Sequence, residues 1–409
     1  MSKAVHVIVT LVLFGIFNGC DNDGGPENDN GIPDQTNGRI TIINDEAKLN
    51  ERLTLLNDTI IVENGNFSKT SNPSAVKLVL EAQVNPPTVN GQTLQATSVS
   101  LDGNFAYVSY NLRGESYAGA IDIIQIKGDN KATIRSEALF NDTKVSAVFF
   151  DASTSKVYLA EATSNASYST PAVIEKISTN GSKLNLANPI RAGLSSYVTT
   201  SALVKSTAVY ATTGNTGGLY KLTKDSLKEI SYTPISDARW VDVDGNFIAV
   251  VQGGGKLAVY NAATGAFLNT YNFTGTSIPE SKSTVQVIGG KALIAAGDGG
   301  VVLMNLATGK VVGSLPRRIV NGLDSSVTVT NAVAANGEYL YISNGEAGVY
   351  QAKANDQNLS SQTGDTDISL SIQGKLKFSA LQSVNHVAFD GETLVIASGL
   401  GGVKIVKVK

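Results

Sequence analysis

The chain has 409 residues, with 32 basic and 35 acidic side chains and a formal net charge of −3. It carries no basic run of the kind that neutralises a phosphate backbone, which argues against a nucleic-acid partner. Its single cysteine leaves no intrachain disulfide, so stability must come from apolar burial and sheet hydrogen bonds, for which a chain this long has the material.

The first segment, "MSKAVHVIVTLVLFGIFNGC", places Lys3 before the apolar run Ala4–Phe17. That run is too short for a comfortable membrane span and reads as a signal segment, 1–19. It ends in Phe17-Asn18-Gly19-Cys20, which resembles the lipobox of bacterial lipoproteins, with Phe17 and Asn18 at positions where Leu and a small residue are usual. The resemblance implies lipidation at Cys20. A plain secretory signal with an incidental cysteine is the alternative. Residues 20–38 are rich in Asp, Asn, Gly and Pro without apolar periodicity and read as a flexible tether. Asp21-Asn22-Asp23-Gly24 lacks the flanking helix and bidentate glutamate of a calcium loop. The acidic residues after Cys20 resemble the surface-export signal of Bacteroidota lipoproteins, which implies an outer-membrane protein facing the cell exterior.

Residues 39–74 read as an N-terminal strap. Within it, "NDEAKLNERLTLL" (44–56) predicts a helix, capped by Asn44 or Asp45, with Leu49, Leu53 and Leu56 on one face. The strap either packs on the main domain or docks a partner.

From 75 to 409 the chain consists of short β-rich runs in a recurring unit. "DGNFIAVVQGGGKLAVYNAATGAFLNTYN" (244–272) and "GGKALIAAGDGGVVLMNLATGKVVGSLP" (289–316) share the same order of turns and strands. The pattern returns at 336–354 and 390–409, and more weakly at 102–126, 153–178 and 205–223. Seven such units predict an all-β fold, a seven-bladed β-propeller of four-stranded antiparallel blades. The last unit stops at "GVKIVKVK" without an outer strand, and "AVKLVLEAQV" (75–84) has a strand pattern without a blade. An open edge there would invite aggregation, so 75–84 is expected to pair beside 403–409 and close the ring. "ETLVIASGLGGVKIVKV" and "EYLYISNGEAGVYQA" resemble the LVIVD-repeat propellers of secreted and surface bacterial proteins, with Asn261, Asn305, Lys353 and Lys407 where that family has Asp. The resemblance implies a propeller and an extracytoplasmic address, and it carries over no catalytic residues.

The glycines of "GDGGVVLMNLATGK" (297–310) align with Gly253–Gly255, Gly217-Gly218, Gly348 and Gly401-Gly402, and no helix follows them. They read as turns between second and third strands rather than as a phosphate loop. Asp102-Gly103, Asp244-Gly245, Asn336-Gly337 and Asp390-Gly391 predict type I′ hairpins between first and second strands. Asp242 and Asp244 form a carboxylate pair by spacing alone.

The one histidine after the signal segment, His386, opens the last inner strand and is expected near a central channel, as a structural, ligand-contacting or catalytic group. No metal and no cofactor are expected, and the chain reads as a non-enzyme. A hydrolase or lyase using channel carboxylates is the dissenting reading. The loops 110–119, 162–172, 188–197, 273–283 and 316–326 are long and should share one face of the ring, opposite a face of short turns. That face should carry Tyr110, Arg113, Tyr117, Tyr168, Arg191, Tyr197, Arg239, Trp240, Arg317 and Arg318, residue types that anchor protein interfaces. Asp58-Thr59-Ile60 and Asp225-Ser226-Leu227 resemble the O-glycosylation sequon of Bacteroidota. The expected function is a lipid-anchored interaction module with an outer-membrane protein partner. The alternative is a glycan- or peptide-binding lipoprotein of a nutrient-uptake system.

Overall fold

The computed structural model describes residues 32–63, 76–127, 132–354, 358–361, 364–378 and 383–409. The signal segment, Cys20 and residues 64–75 lie outside the described residues.

The repeats fold as seven blades of four antiparallel strands. Their inner strands are Gln95–Asp102, Thr143–Asp151, Ser201–Lys205, Ala238–Val243, Val285–Ile288, Ala332–Asn336 and His386–Phe389. Each packs on the next, and the seventh packs on the first, so the sheets form a closed ring. Because every blade is sandwiched between two others, the middle strands bury both faces and read as unbroken apolar runs. "KALIA" (291–295) and "VVLMN" (301–305) are buried at every position. Ile121 and Ile123 of blade 1 meet Val157 and Leu159 of blade 2 in one such layer. Each buried aliphatic side chain of this kind contributes about 1.5–3 kcal/mol.

Closure uses both ends of the described chain. Leu78–Val84 is the outer strand of blade 7 and runs antiparallel to Val403–Val408, with Val84 opposite Val403, Ala82 opposite Ile405 and Leu78 opposite Val408. Lys77 and Lys409 exchange backbone hydrogen bonds of 2.9 and 2.8 Å at its end. The expected clasp is present. At the mouth of the channel the same seam is sewn again: Ala96 N–H donates to the Gly399 carbonyl at 2.9 Å, and Asn385 Nδ2 donates to the Ala96 carbonyl at 2.7 Å.

The strap departs from the expected helix. Asp45 caps it, accepting from Ala47 and Lys48 N–H, but the helix covers only Glu46–Leu49 before a 3-10 turn, Asn50–Arg52. Leu53 and Leu56 belong instead to a strand, Leu53–Ile60, paired with Leu78–Val84. The run "LTLLNDTI" mixes β-branched and short polar residues that favour helices weakly, and an open sheet edge beside it satisfies its backbone. Ile40–Ile43 likewise adds to the outer strand of blade 1, Thr133–Phe140, and Val62–Glu63 adds to that of blade 6, Leu370–Leu376. One segment therefore edges blades 1, 7 and 6. The outer strands of blades 3, 4 and 5 (Glu229–Pro234, Phe267–Asn272 and Val311–Leu315) end their sheets.

Two turn expectations are resolved differently. The glycines between second and third strands do take positive φ where space demands it. Gly300 has φ 84° and a Cβ there would lie 2.2 Å from the Leu315 carbonyl; Gly402 has φ 66° and would meet the Val84 carbonyl at 2.0 Å. The Asp-Gly hairpins, however, are not type I′, because that turn needs positive φ at both residues and Asp102, Asp244, Asn336 and Asp390 lack it. Instead the Asp244 carboxylate accepts from Asn246 and Phe247 N–H at 2.7 and 2.6 Å, and Asp390 does the same for Glu392 and Thr393 at 3.0 and 2.8 Å. The aspartate side chain itself closes the turn.

Candidate binding face and the channel beneath it

Two adjoining clefts, of about 580 and 720 Å³, open where the inner strands begin. They share Gln95, Glu280, Asn331 and Asn385 and together make a polar bowl over the channel. Its wall is set by side chains that tie each blade to a neighbour: Thr97 Oγ1 donates to the Val145 carbonyl, Thr200 Oγ1 to Ala238, and Asn331 Nδ2 to Val384, at 3.0 to 3.1 Å. Val145 and Ala238 sit where a register shift interrupts the pairing of their inner strands, so these side chains supply partners there.

Lys282 forms the floor. It lies in the long loop 273–284, which Arg239 holds by donating to the Ile278 and Ser281 carbonyls at 2.9 and 3.2 Å. The lysine reaches across the ring from blade 5 to blade 2 and donates to the Ser146 carbonyl at 2.8 Å. Its Nζ stands 5.2 Å from the centre of the Trp240 ring, and Trp240 in turn stacks on His386 at 5.4 Å between centroids. Burial pushes the Lys282 ammonium down to about 8. Burial first, and the lysine's charge second, push His386 down to about 3, so its imidazole is neutral. Below this plug a cavity of about 330 Å³ is lined by all seven inner strands. There Asp242 accepts from Val287 N–H at 2.7 Å and burial pushes it up to about 6. Asp244 serves a turn, so the two carboxylates do separate structural work. Among the described residues no cluster of three His, Cys, Asp or Glu side chains could hold a metal ion.

The residues expected on the long-loop face divide into several groups. Arg113 and Arg239 line the bowl. Trp240 and His386 lie deeper, in the channel. Tyr197 stands 69% exposed on the face. Tyr117 and Tyr168 are half-buried under Lys144 and Arg191, at 5.3 and 5.4 Å from their ring centres. Arg317 donates to the Ser325 carbonyl at 2.8 Å, while Arg318 is half-buried beside it. Arg239 is spent on Asp237 and its loop, so it positions the wall rather than meeting a ligand.

Two expectations are corrected. Tyr110 is fully buried and donates to Asp122 Oδ2 at 2.7 Å. That carboxylate also pairs with Arg52 of the strap at 2.8 Å, and Arg52 pairs with Glu137 at 2.7 Å. The tyrosine thus belongs to a buried network that seats the strap. Arg191 is not in a loop, because the outer strand of blade 2 runs Lys183–Gly193. Its guanidinium pairs with Glu161 at 3.1 Å and lies 3.6 Å from Glu175, which also pairs with Arg39 of the strap. The opposite face is also not uniformly short: blades 5 and 6 meet there in a long connection, in which Asp365 accepts from Asn305 and Thr308 at 2.8 and 2.7 Å.

Sequence reasoning missed Lys282 and the apolar residues of the face. Ile319 is 69% exposed and Leu400 54% exposed, on loops either side of the second cleft. "TSIPESKS" marks no residue by itself. The usable signal was a Thr or Asn placed just before four of the inner strands: Thr200, Thr284, Asn331 and Asn385.

A family model described as outer membrane protein assembly factor BamB matches residues 182–407, and the chain belongs to that family. No curated protein matches the chain. Among solved structures it is similar to the WD40 repeats of RRP9, at 12% identity and a TM-score of 0.57 over 80% of this chain and 98% of that one. U3-55K is similar at 12% identity and 0.57 over 82% and 100%, and the WD40 β-propeller domain of Doa1 at 11% and 0.54 over 82% and 97%. These likenesses concern the fold.

Proposed function

From its membership of this family, we propose that the protein is an accessory docking module of an outer-membrane complex, tethered by lipid at Cys20 and presenting its long-loop face to a membrane-protein partner. The observation that carries the reading is the face itself. Tyr197, Ile319 and Leu400 are large apolar side chains held in solvent around a polar bowl, on loops fixed by a rigid ring. Among the described residues no helix is long and apolar enough to cross a membrane, and the lipobox-like "FNGC" supplies the anchor in this reading. The LVIVD-type repeats, the exterior orientation and the glycosylation-like sites at Thr59 and Ser226, both exposed, are part of the same proposal. A second reading, a peptide- or glycan-binding lipoprotein of an uptake system, draws on the bowl.

Mild-detergent pull-down of the tagged protein from its native outer membrane, followed by mass spectrometry, tests the first reading. A stoichiometric barrel or lipoprotein partner is expected, lost in a Tyr197→Ala, Ile319→Ser, Leu400→Ser variant that melts like wild type. Recovery of the protein alone would overturn it. Labelling with a clickable palmitate analogue, abolished by Cys20→Ala, tests the anchor.

A further inference from the structure

Among the described residues, Lys282 is a cation without a counter-ion. Its ammonium meets the Ser146 carbonyl and the Trp240 ring at the bottom of the bowl, and among those residues it pairs with no carboxylate. Of the acidic residues in the wall, Asp237 is paired with Arg239 at 2.8 Å, and neither Glu280 nor Glu346, which lines the second cleft, forms an ion pair with the lysine. A partly desolvated charge in this position costs free energy that one carbonyl and an indole offset only in part. The lowered proton affinity of the group reflects that cost.

We propose that the bowl binds the C-terminal carboxylate of an extended peptide, with Lys282 as its counter-charge. The proposal rests on the long-loop face being the docking face. One ammonium balances one carboxylate, whereas a phosphate dianion would leave a negative charge unbalanced beside Asp237 and Glu280. The wall offers both halves of the hydrogen bonding that a peptide backbone requires. Gln95 Nε2 donates to Asn111 Oδ1 at 2.8 Å, which leaves Gln95 Oε1 to accept and Asn111 Nδ2 to donate. Asn385 spends its Nδ2 on Ala96 and keeps its Oδ1. From the shared wall the second cleft leads outward between the apolar Val327, Val329 and Leu400 and the polar Arg113, Glu346 and Ser383, a mixed surface with room for peptide side chains.

Trp240 is the sole tryptophan of the chain and lies against the lysine, so its emission reports on the floor of the bowl. The full chain is titrated with a pool of six-residue peptides bearing free C-terminal carboxylates, and with the same pool amidated. The free-acid pool is expected to shift Trp240 emission to saturation, and the amidated pool to need at least tenfold higher concentration. Lys282→Met, with its melting curve checked, is expected to respond to both pools alike. Equal response of the wild type to acid and amide overturns the proposal whether or not the variant folds. Displacement of the acid pool by inorganic phosphate at lower concentration than by acetate also overturns it. The membrane pull-down separates this failure from failure of the docking reading: a retained partner with no acid–amide difference removes the peptide site alone.

Discussion

Blades 6, 7 and 1 and blades 3, 4 and 5 are built from the same repeat but finish their rims in opposite ways. On the first side the strap adds a strand to each sheet and seats itself with buried charge. Arg52 reaches Asp122 and Glu137, and Arg135 pairs with Glu46 at 3.0 Å. On the second side the last strand of each sheet faces solvent, with Ile230, Phe267, Leu268 and Val311 exposed. The difference shows what a covering strand changes. Once a rim is covered, carboxylates such as Asp122 and Glu137 lose their water and depend on the guanidinium that the strap brings. The outer strands of blades 3 and 4 end in their own ladders, and that of blade 5 adds only a backbone bond from Ile368 N–H to the Val312 carbonyl at 2.6 Å. The strapped side is thus where single substitutions should hurt.

The largest effect is expected at the clasp. Removing the last eight residues, 402–409, takes away the strand between Leu78–Val84 and the rest of blade 7, and should abolish cooperative thermal unfolding together with the β-sheet circular dichroism signal. An unchanged melt would show that the two sides close independently. Next in size, Arg52→Met leaves the Asp122 carboxylate buried without its cation and should cost about 3–5 kcal/mol in urea denaturation. A loss below 1 kcal/mol would mean that the strap is an ornament on a self-sufficient ring.

A subtler effect separates the sides by pH. Burial, and then the neighbouring Asp122, push the Glu137 carboxyl up to about 8. A carboxyl whose folded value is raised binds its proton more tightly folded than unfolded. It favours the fold at low pH, and that contribution drains away between its ordinary value near 4.5 and about 8. Glu137→Gln should therefore gain on wild type steadily as pH rises through that window and hold a constant lead above it, as read from denaturation midpoints. A gap flat with pH would place the carboxylate's charge in balance with Arg52. The smallest effects belong to the bare rims, where Ile230→Ser or Phe267→Ser should change stability by no more than about 0.5 kcal/mol.

The ring and its closure could be read from the chain because the units repeat the same local signals: an Asp-Gly or Asn-Gly hairpin in four of the seven, an apolar pair of middle strands, and a glycine-rich turn between them. A missing strand at one end and a spare one at the other then had a single solution. The strap could not be read this way. Nothing near Leu53 tells a helix stripe from a strand until the edge of Leu78–Val84 stands beside it. The same holds for the face. Tyr110 and Arg191 carry the residue types of an interface, yet Asp122 and Glu161 lie beside them in space and draw them inward. Lys282 is visible only once blade 2 lies opposite blade 5.

The clasp also sets the order of events at synthesis. Lys404 and Gln83, hydrogen-bonded at 3.0 Å, are 321 residues apart. A chain emerging from its N-terminus holds the lock from residue 84 onward and receives the key only when Val403–Val408 is made. Until then the ring cannot seal, and loop-closure entropy works against early commitment. Sealing the ring is thus a late step, however early the individual blades pair within themselves.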